Sequence, residues 1–452
     1  MEREMLSVPL EAIRDSFEGI MPSVIATSDA DGMPNISYLS QVHYVDSEHV
    51  GLSNQFFSKT AANVAVTGKA TLVVLDGRIG VQHMLELVFV RSDRSGEIFD
   101  RLAAQFDVMA GLQETSHMLR LRAVDIYRVD ACIAIDPVAP LALPPPLLQS
   151  RENHFWQTAV TTGELAALGD AETLLDVSLA VLEERFGFAH SMILIADLET
   201  NRLVTVASRG YPHFGFGAEI PIGDGIIGIA AERRQTVRIP DLRRSRRYVS
   251  AIASATAATY DEIPMPMIDE PQSQVAVPMI AGGRLIGVLF AESERSFDFS
   301  HNEEAALRVV AAQVAAGLVN FEVADGLGEA GPHAAASAAE SGNESSFAFQ
   351  FFPRDGGVFI DNEYVIRGVP GRLLHYFVRF YAQAGRTVFS NREIRRDKSL
   401  NLPDFKDNLE TRLILLRRRL EERGGPVRLE RPGRGQIRLA IDGKPEISIV
   451  NE

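Results

Sequence analysis

Cysteine and tryptophan each occur once in these 452 residues, the thiol being Cys132. A single thiol excludes an intrachain disulfide and leaves no cysteine cluster for zinc or an iron–sulfur centre. Cys132 lies in the apolar run RVDACIAI, where a buried, inert thiol is expected rather than a redox sensor. Long apolar runs are missing as well: no stretch of about 18 uncharged apolar residues occurs, so no membrane partner is expected. The opening MEREMLSVPLEAIRDSFEGI mixes acids with apolar side chains, unlike a targeting leader with a basic start and an apolar block, and a cytoplasmic protein is the expectation.

Positive charge is in short supply, with 45 Lys and Arg against 60 Asp and Glu, a net of −15. The shortage is uneven. Residues 351–452 hold 20 bases and 14 acids, a net of +6, which leaves −21 for the remainder. Only the C-terminal part is suited to approach a polyanion.

The length exceeds one comfortable core, since domains run to ~100–200 residues, and about three domains are expected. Two stretches divide the chain. PVAPLALPPPLLQS (137–150) is too rich in proline for a helix or inner strand, and the small, polar residues of 323–348 form a low-complexity linker. The expected domains are therefore 1–136, 151–322 and 349–452, an α+β multidomain chain.

In the first domain, SVIATSD, NISYLSQVHYVD, HVGLSN, ATLVVLD, LELVFVRSD and RLRAVDIYRVDACIAI alternate or are saturated with β-branched residues. SKTAANVAVTG and GEIFDRLAAQFDVMAGL have helical spacing. An antiparallel barrel with short helices fits this order. The second domain runs helix, hairpin, glycine-rich loop, hairpin, helix, with turns at 199–202 and at Gly282-Gly283, which predicts a sheet with helices on one face. In the third, RLLHYFVRFYAQAG is an amphipathic helix ending at Gly385. Ser390 N-caps a second helix with Glu393 at the capping-box position, and DFKDNLETRLILLRRRLEERGG forms a third before the hairpin VRLERPGRGQIRLAI.

The order HVGLSNQFFSKTAANV then ATLVVLD resembles the flavin-binding split β-barrel of the pyridoxamine 5′-phosphate oxidase-like family. That resemblance implies FMN, its phosphate held by Ser53, Asn54, Ser58, Lys59 and Thr60. Hydroxyls and free amides at a helix start suit a phosphate, and a lysine neutralises it. The family usually brings more positive charge, and neither Lys69 nor Arg78 is obviously placed to supply it. Heme, with His83 or His117 as ligand, and an empty barrel remain alternatives.

The ordered run IPIGDGIIGIAAERRQTVRIPDL, VPMIAGGRLIGVLFAES and FSHNEEAALRVVAAQVAAGL resembles a GAF domain, an α/β sandwich whose pocket would take an unknown small ligand. Gly223, Gly225 and Gly228 read as tight turns and close helix approach, since a dinucleotide fingerprint would need a preceding βαβ strand. The loop after Asp241 is long, and Arg243, Arg244, Arg246 and Arg247 in it are read as partners of nearby acids rather than a phosphate site.

The strand, two helices, third helix and G-R-G turn of the C-terminal part resemble the winged-helix DNA-binding domain of two-component response regulators. Leu409, Leu413, Leu416 and Leu420, spaced 4, 3 and 4 apart, give the third helix an inward stripe. Arg412 and Arg419 flank it on one side and Lys406 and Arg417 on the other, while Thr411, Leu415 and Arg418 point away, toward the major groove of double-stranded DNA. Arg434 at the hairpin tip would enter the minor groove. Ile414 and Leu415 stand where the family often has polar or basic residues, and a basic helix without a nucleic-acid role is the alternative.

No receiver domain precedes this module, so a small-molecule effector or redox state is the expected signal. The leading reading is a one-component transcriptional regulator, acting as a homodimer on two half-sites. A flavin-dependent oxidoreductase with regulatory appendages and a sensor working through protein contacts are the alternatives. No acid–base pair or nucleophile constellation stands out to favour the enzyme, and neither catalytic residues nor metal ligands are assigned.

Overall fold

The computed structural model describes residues 8–17, 23–39, 41–54, 58–78, 80–113, 121–135, 154–242, 263–327, 346–400, 409–433 and 435–450. Alternation builds the first sheet: β1 (Ser23–Ser28) turns every second residue into a core that includes Ile25, Leu52, Leu72, Leu85 and Leu87. Then follow β2 (Pro34–Leu39), β3 (Val42–Tyr44), β4 (His49–Asn54), α1 (Ser58–Thr67), β5 (Lys69–Leu75), β6 (Gln82–Asp93), α2 (Glu97–Gln113) and β7 (Ala123–Ile135). The strands lie in the order β2-β1-β5-β6-β7-β4-β3 with antiparallel neighbours, a split half-barrel. Register shifts after Glu86 and Phe89 bend the long β6–β7 ribbon. One element was not expected from the sequence, a 3-10 helix at Leu10–Ser16 that sets Leu10 and Ile13, followed by Phe17, into this core.

The second region comprises α3 (Phe155–Ala166), α4 (Ala171–Phe186), β8 (His190–Asp197), β9 (Arg202–Arg209), β10 (Glu219–Pro221), α5 (Gly225–Arg233), β11 (Val237–Ile239), β12 (Ser273–Ala281), β13 (Arg284–Ser293) and α6 (His301–Leu327). Asp170 caps α4 by accepting from Thr173 N at 2.9 Å, and Gly187 ends it with φ 75°. The sheet order is β10-β9-β8-β13-β12-β11. Helices cover both of its faces, which corrects the one-face expectation. The α4 and α6 side shares one apolar cluster, while α5 builds a second with Ala104 and Val108 of α2, a helix belonging to the barrel.

By length and composition 301–322 is apolar enough to cross a membrane, yet Leu307, Val310, Ala311, Val314 and Leu318 of α6 lie buried in the core. The helix runs on to Leu327 and the next strand starts at Ser346, so ordered structure extends into both ends of the linker expected at 323–348. The proline-rich linker 137–150 and the four arginines of 243–247 lie outside the described residues.

The last region holds β14 (Ser346–Phe352), β15 (Gly357–Ile360), β16 (Glu363–Ile366), α7 (Gly368–Ala384), β17 (Val388–Ser390), α8 (Asn391–Arg396), a 3-10 turn at Lys398–Leu400, α9 (Leu409–Arg423), β18 (Val427–Gly433), β19 (Gln436–Ile441) and β20 (Lys444–Ile449). Gly385 ends α7 with φ 64°, and the Ser390 side chain accepts from Glu393 N, both as expected. β18 and β19 pair as the expected hairpin, with β17 beside β19. The hairpin is not the end of the fold, because β20 continues from it and runs parallel to β14 in the order β16-β15-β14-β20. One continuous apolar cluster joins this region to the α4 and α6 side of the second.

Candidate nucleic-acid interface and cofactor site

Within the C-terminal region α9 packs as its leucine spacing predicts: Leu409, Leu413, Leu416 and Leu420 are buried, and Ile414 joins them. Glu410, in its first turn, accepts from Asn391 Nδ2 at 3.1 Å and pairs with Arg431 of β18, fixing α8 and the hairpin to the helix. Arg419 turns back to its own region, donating from Nε to the Val365 carbonyl at 2.9 Å and pairing with Glu422 at 3.3 Å.

The opposite face departs from expectation. Thr411, Leu415 and Arg418 were expected to point outward for a groove, but they are only 3–5% exposed. That face is pressed against β9 and α4 of the second region. Arg418 donates from Nη1 to the Val206 carbonyl at 2.9 Å and from Nη2 to Asp176 Oδ1 at 2.7 Å, and its guanidinium lies over the Phe216 ring. Arg412 meets Asp197 Oδ2 at 3.3 Å, and Arg417 pairs with Glu172. Around this seam Arg367 binds Glu219, which holds the guanidinium's pKa above its ordinary value, and Gly215 N donates to Glu422 at 2.9 Å. Lys406 and Arg434 lie outside the described residues.

A cavity of about 440 Å³ opens along the seam between Asp197, Arg202, Arg367, Arg372, Arg412 and Leu415. Glu172, Asp176, Asp197 and Glu219 were not singled out from the sequence. Their signal was weak, since acids on exposed positions of an amphipathic helix or at strand ends look like ordinary solvated charge.

The barrel's proposed phosphate residues are split between two situations. Ser53 is buried, its Oγ accepting from Gln41 N at 3.2 Å; Thr60 is buried, accepting from Asn35 Nδ2 at 3.0 Å. Asn54 donates to Asp125 Oδ2 at 2.9 Å. Ser58 opens α1, and Lys59 next to it is exposed. Lys59 is thus the exposed cation of the set, free to meet an FMN phosphate, while Ser53 and Thr60 are buried with their hydroxyls accepting protein hydrogen bonds and Asn54 is engaged with Asp125. Lys69 is exposed at the start of β5, whereas Arg78 is committed to Asp15 at 2.9 Å. His83 is buried on β6, and burial lowers its pKa despite the nearby Asp76; His117 lies outside the described residues.

In the second region Gly223 and Gly225 serve tight turns and Gly228 close packing. Gly223 and Gly225 adopt φ 97° and 57°, and a Cβ on Gly228 would sit 2.4 Å from the Pro221 carbonyl oxygen. On the α5 side of the sheet, Glu292 accepts from Ile268 N at 2.9 Å and Gln274 Nε2 at 3.0 Å. Burial raises its pKa against those bonds, and burial together with the Glu292 charge raises that of Tyr211. Among the described residues no group of three or more His, Cys, Asp or Glu could hold a metal ion.

Comparison with known proteins agrees with two of these regions. The family model described as pyridoxamine 5′-phosphate oxidase matches residues 10–130, and the GAF domain model matches residues 170–318. No curated protein matches the chain. Similar solved structures include the GAF domain of an Acinetobacter phosphoenolpyruvate-protein phosphotransferase, at 18% identity over 38% of this chain and 95% of that one, TM-score 0.30. Free methionine-R-sulfoxide reductase from Neisseria meningitidis has 25% identity over 35% and 84%, TM-score 0.29. An FMN-binding protein from Syntrophomonas wolfei has 18% identity over 30% and 87%, TM-score 0.23. Residues 10–130 are a pyridoxamine 5′-phosphate oxidase-like domain, and residues 170–318 are a GAF domain.

Proposed function

We propose that this chain is a cytoplasmic, one-component transcriptional regulator. Its barrel and GAF domains receive a small-molecule or redox signal, and residues 346–450 act as a winged helix on double-stranded DNA. The observation that carries the reading is α9 itself, a helix with its leucines buried and its Glu410 fastened to α8 and to the β18–β19 hairpin, whose other face, turned to the second region, carries Thr411, Arg412, Leu415, Arg417 and Arg418. A positively charged module in an otherwise acidic chain supports it. The homodimer belongs to the same proposal, because two half-sites call for two copies.

The test is binding of the full chain to a library of genomic duplex fragments across a salt series. Selective retention, with an affinity that falls steeply as salt rises, is expected. Absence of duplex binding at low salt, both in the full chain and in Glu172→Gln, Asp176→Asn, Asp197→Asn, which frees the arginines of α9, overturns the reading, and turnover of a reduced nicotinamide by the same preparation would put the oxidoreductase in its place.

A second reading concerns the barrel, where the exposed Lys59 beside the start of α1 favours an FMN phosphate. Bound there, FMN would supply redox chemistry. Flavin absorbance in purified protein that is lost in Lys59→Ala supports it; a spectrum without flavin after incubation with FMN removes it.

A further inference from the structure

The helix face assigned above to DNA is occupied within the chain. Arg418 is almost wholly enclosed by Asp176, the Val206 carbonyl and the Phe216 ring, Arg412 is held by Asp197, and Arg417 by Glu172. Leu415 and Thr411 between them are covered too. Entry into a major groove ~12 Å wide requires a bare helix, which α9 is not while β9 and α4 lie on it. Each of these three guanidinium groups meets a carboxylate, and DNA phosphates seek guanidinium groups by the same chemistry.

We infer that the acidic face of the GAF domain, formed by Glu172, Asp176 and Asp197 with Phe216, is a docking surface for α9 that excludes DNA. The structure is thus a closed state, in which GAF carboxylates and DNA phosphates compete for Arg412, Arg417 and Arg418. This rests on the DNA-binding reading of the C-terminal region and adds how that site is regulated. The pairs differ in strength: Asp176 is 62% exposed and its pair contributes little, whereas Arg412 and Asp197 are both 11% exposed and the apolar cluster continues across the seam, so opening requires a signal that acts on the GAF face. A signal that loosens the GAF face would uncover the helix, and DNA affinity would rise in proportion to the open fraction.

The experiment uses the full chain, a fluorescein-labelled random-sequence duplex of about two helical turns at low salt, and dicarbonyl modification of Arg418 read by mass spectrometry. The released variant is Glu172→Gln, Asp176→Asn, Asp197→Asn. Its control, Glu232→Gln, Asp269→Asn, Glu294→Gln, changes the net charge equally at exposed positions away from the seam. Release should make Arg418 reactive and tighten duplex binding at least about tenfold over both wild type and control. If Arg418 becomes reactive while affinity stays at the control's value, the docking surface does not regulate DNA binding and the inference falls, with the DNA reading intact. Where Arg418 becomes reactive and none of the proteins binds duplex, the DNA reading itself falls. Should Arg418 stay protected in the neutral variant and also in Glu172→Arg, Asp176→Arg, the carboxylates are not what holds the helix, and the inference is overturned.

Discussion

Arg101 of the barrel helix α2 reaches Glu304 of the GAF helix α6 at 2.7 Å, and the same carboxylate accepts from Arg238 of β11 at 3.1 Å. Both Arg238 and Glu304 are nearly inaccessible, so this is a buried charge cluster spanning two domains. Arg238 also approaches His301, whose Nδ1 pairs with Asp15 of the N-terminal 3-10 helix at 2.5 Å. Glu304→Gln leaves two buried guanidinium groups short of a countercharge. A loss of about 3–5 kcal/mol is expected, read as a lower urea midpoint with barrel and GAF signals shifting together.

Asp15 gives the same contact a pH dependence. Burial pushes its pKa up, but the His301 hydrogen bond and the charges of His301, Arg78 and Arg238 outweigh this and hold it well below the ordinary carboxylate range. A depressed folded pKa contributes stability that is present above the unfolded value, ~3.9, and is lost as pH falls through the folded value. Urea midpoints of the wild type should therefore fall more steeply below about pH 4 than those of Asp15→Asn. Parallel slopes would show that Asp15 is not held this way.

The lone thiol should be inert. Cys132 is buried on β7 opposite Leu85, and burial pushes its pKa up to about 11. Reaction depends on thiolate, so an aromatic disulfide reagent at pH 8 should label native protein at least about a hundredfold more slowly than urea-unfolded protein. Rapid stoichiometric labelling of the native chain would contradict the burial.

Two glycine substitutions should act in opposite directions. Gly228→Ala places its methyl 2.4 Å from the Pro221 carbonyl oxygen, a backbone atom that cannot swing aside, and should cost about 1–3 kcal/mol. Gly163, inside α3, has open space around its missing Cβ, so Gly163→Ala should stabilise by about 0.5–1 kcal/mol. Thermal unfolding of the two variants tests both signs.

Local periodicity made most of this chain legible. The alternation of SVIATS, the 4, 3, 4 leucine spacing of α9, and the Ser390 and Gly385 caps fixed strands and helices close to where they lie. Contacts between domains were less visible, for a physical reason. Leu102 and Phe106 of α2 mark one inward face, but Ala104 and Val108, which enter the GAF core, are small enough to pass for an ordinary helix surface. Arg418 likewise looked like a solvent-facing base, because a guanidinium suits water, phosphate or a buried carboxylate equally well. The N-terminal 3-10 helix did carry a signal, Leu10, Ile13 and Phe17 spaced 3 and 4 apart, too short to distinguish from chance.

The α6 helix touches all three parts of the molecule. Its first turn carries Glu304 against Arg101 of the barrel, and Glu322, five turns later, faces Arg395 beside the proposed DNA-binding helices. At 1.5 Å per residue those contacts stand about 27 Å apart along one unbroken rod. A tilt of a few degrees imposed at the barrel end moves the far end by an ångström or more. The barrel and the C-terminal region therefore hold opposite ends of one helix whose middle, from Leu307 to Leu318, is buried in the GAF core, so all three parts share a single rigid element.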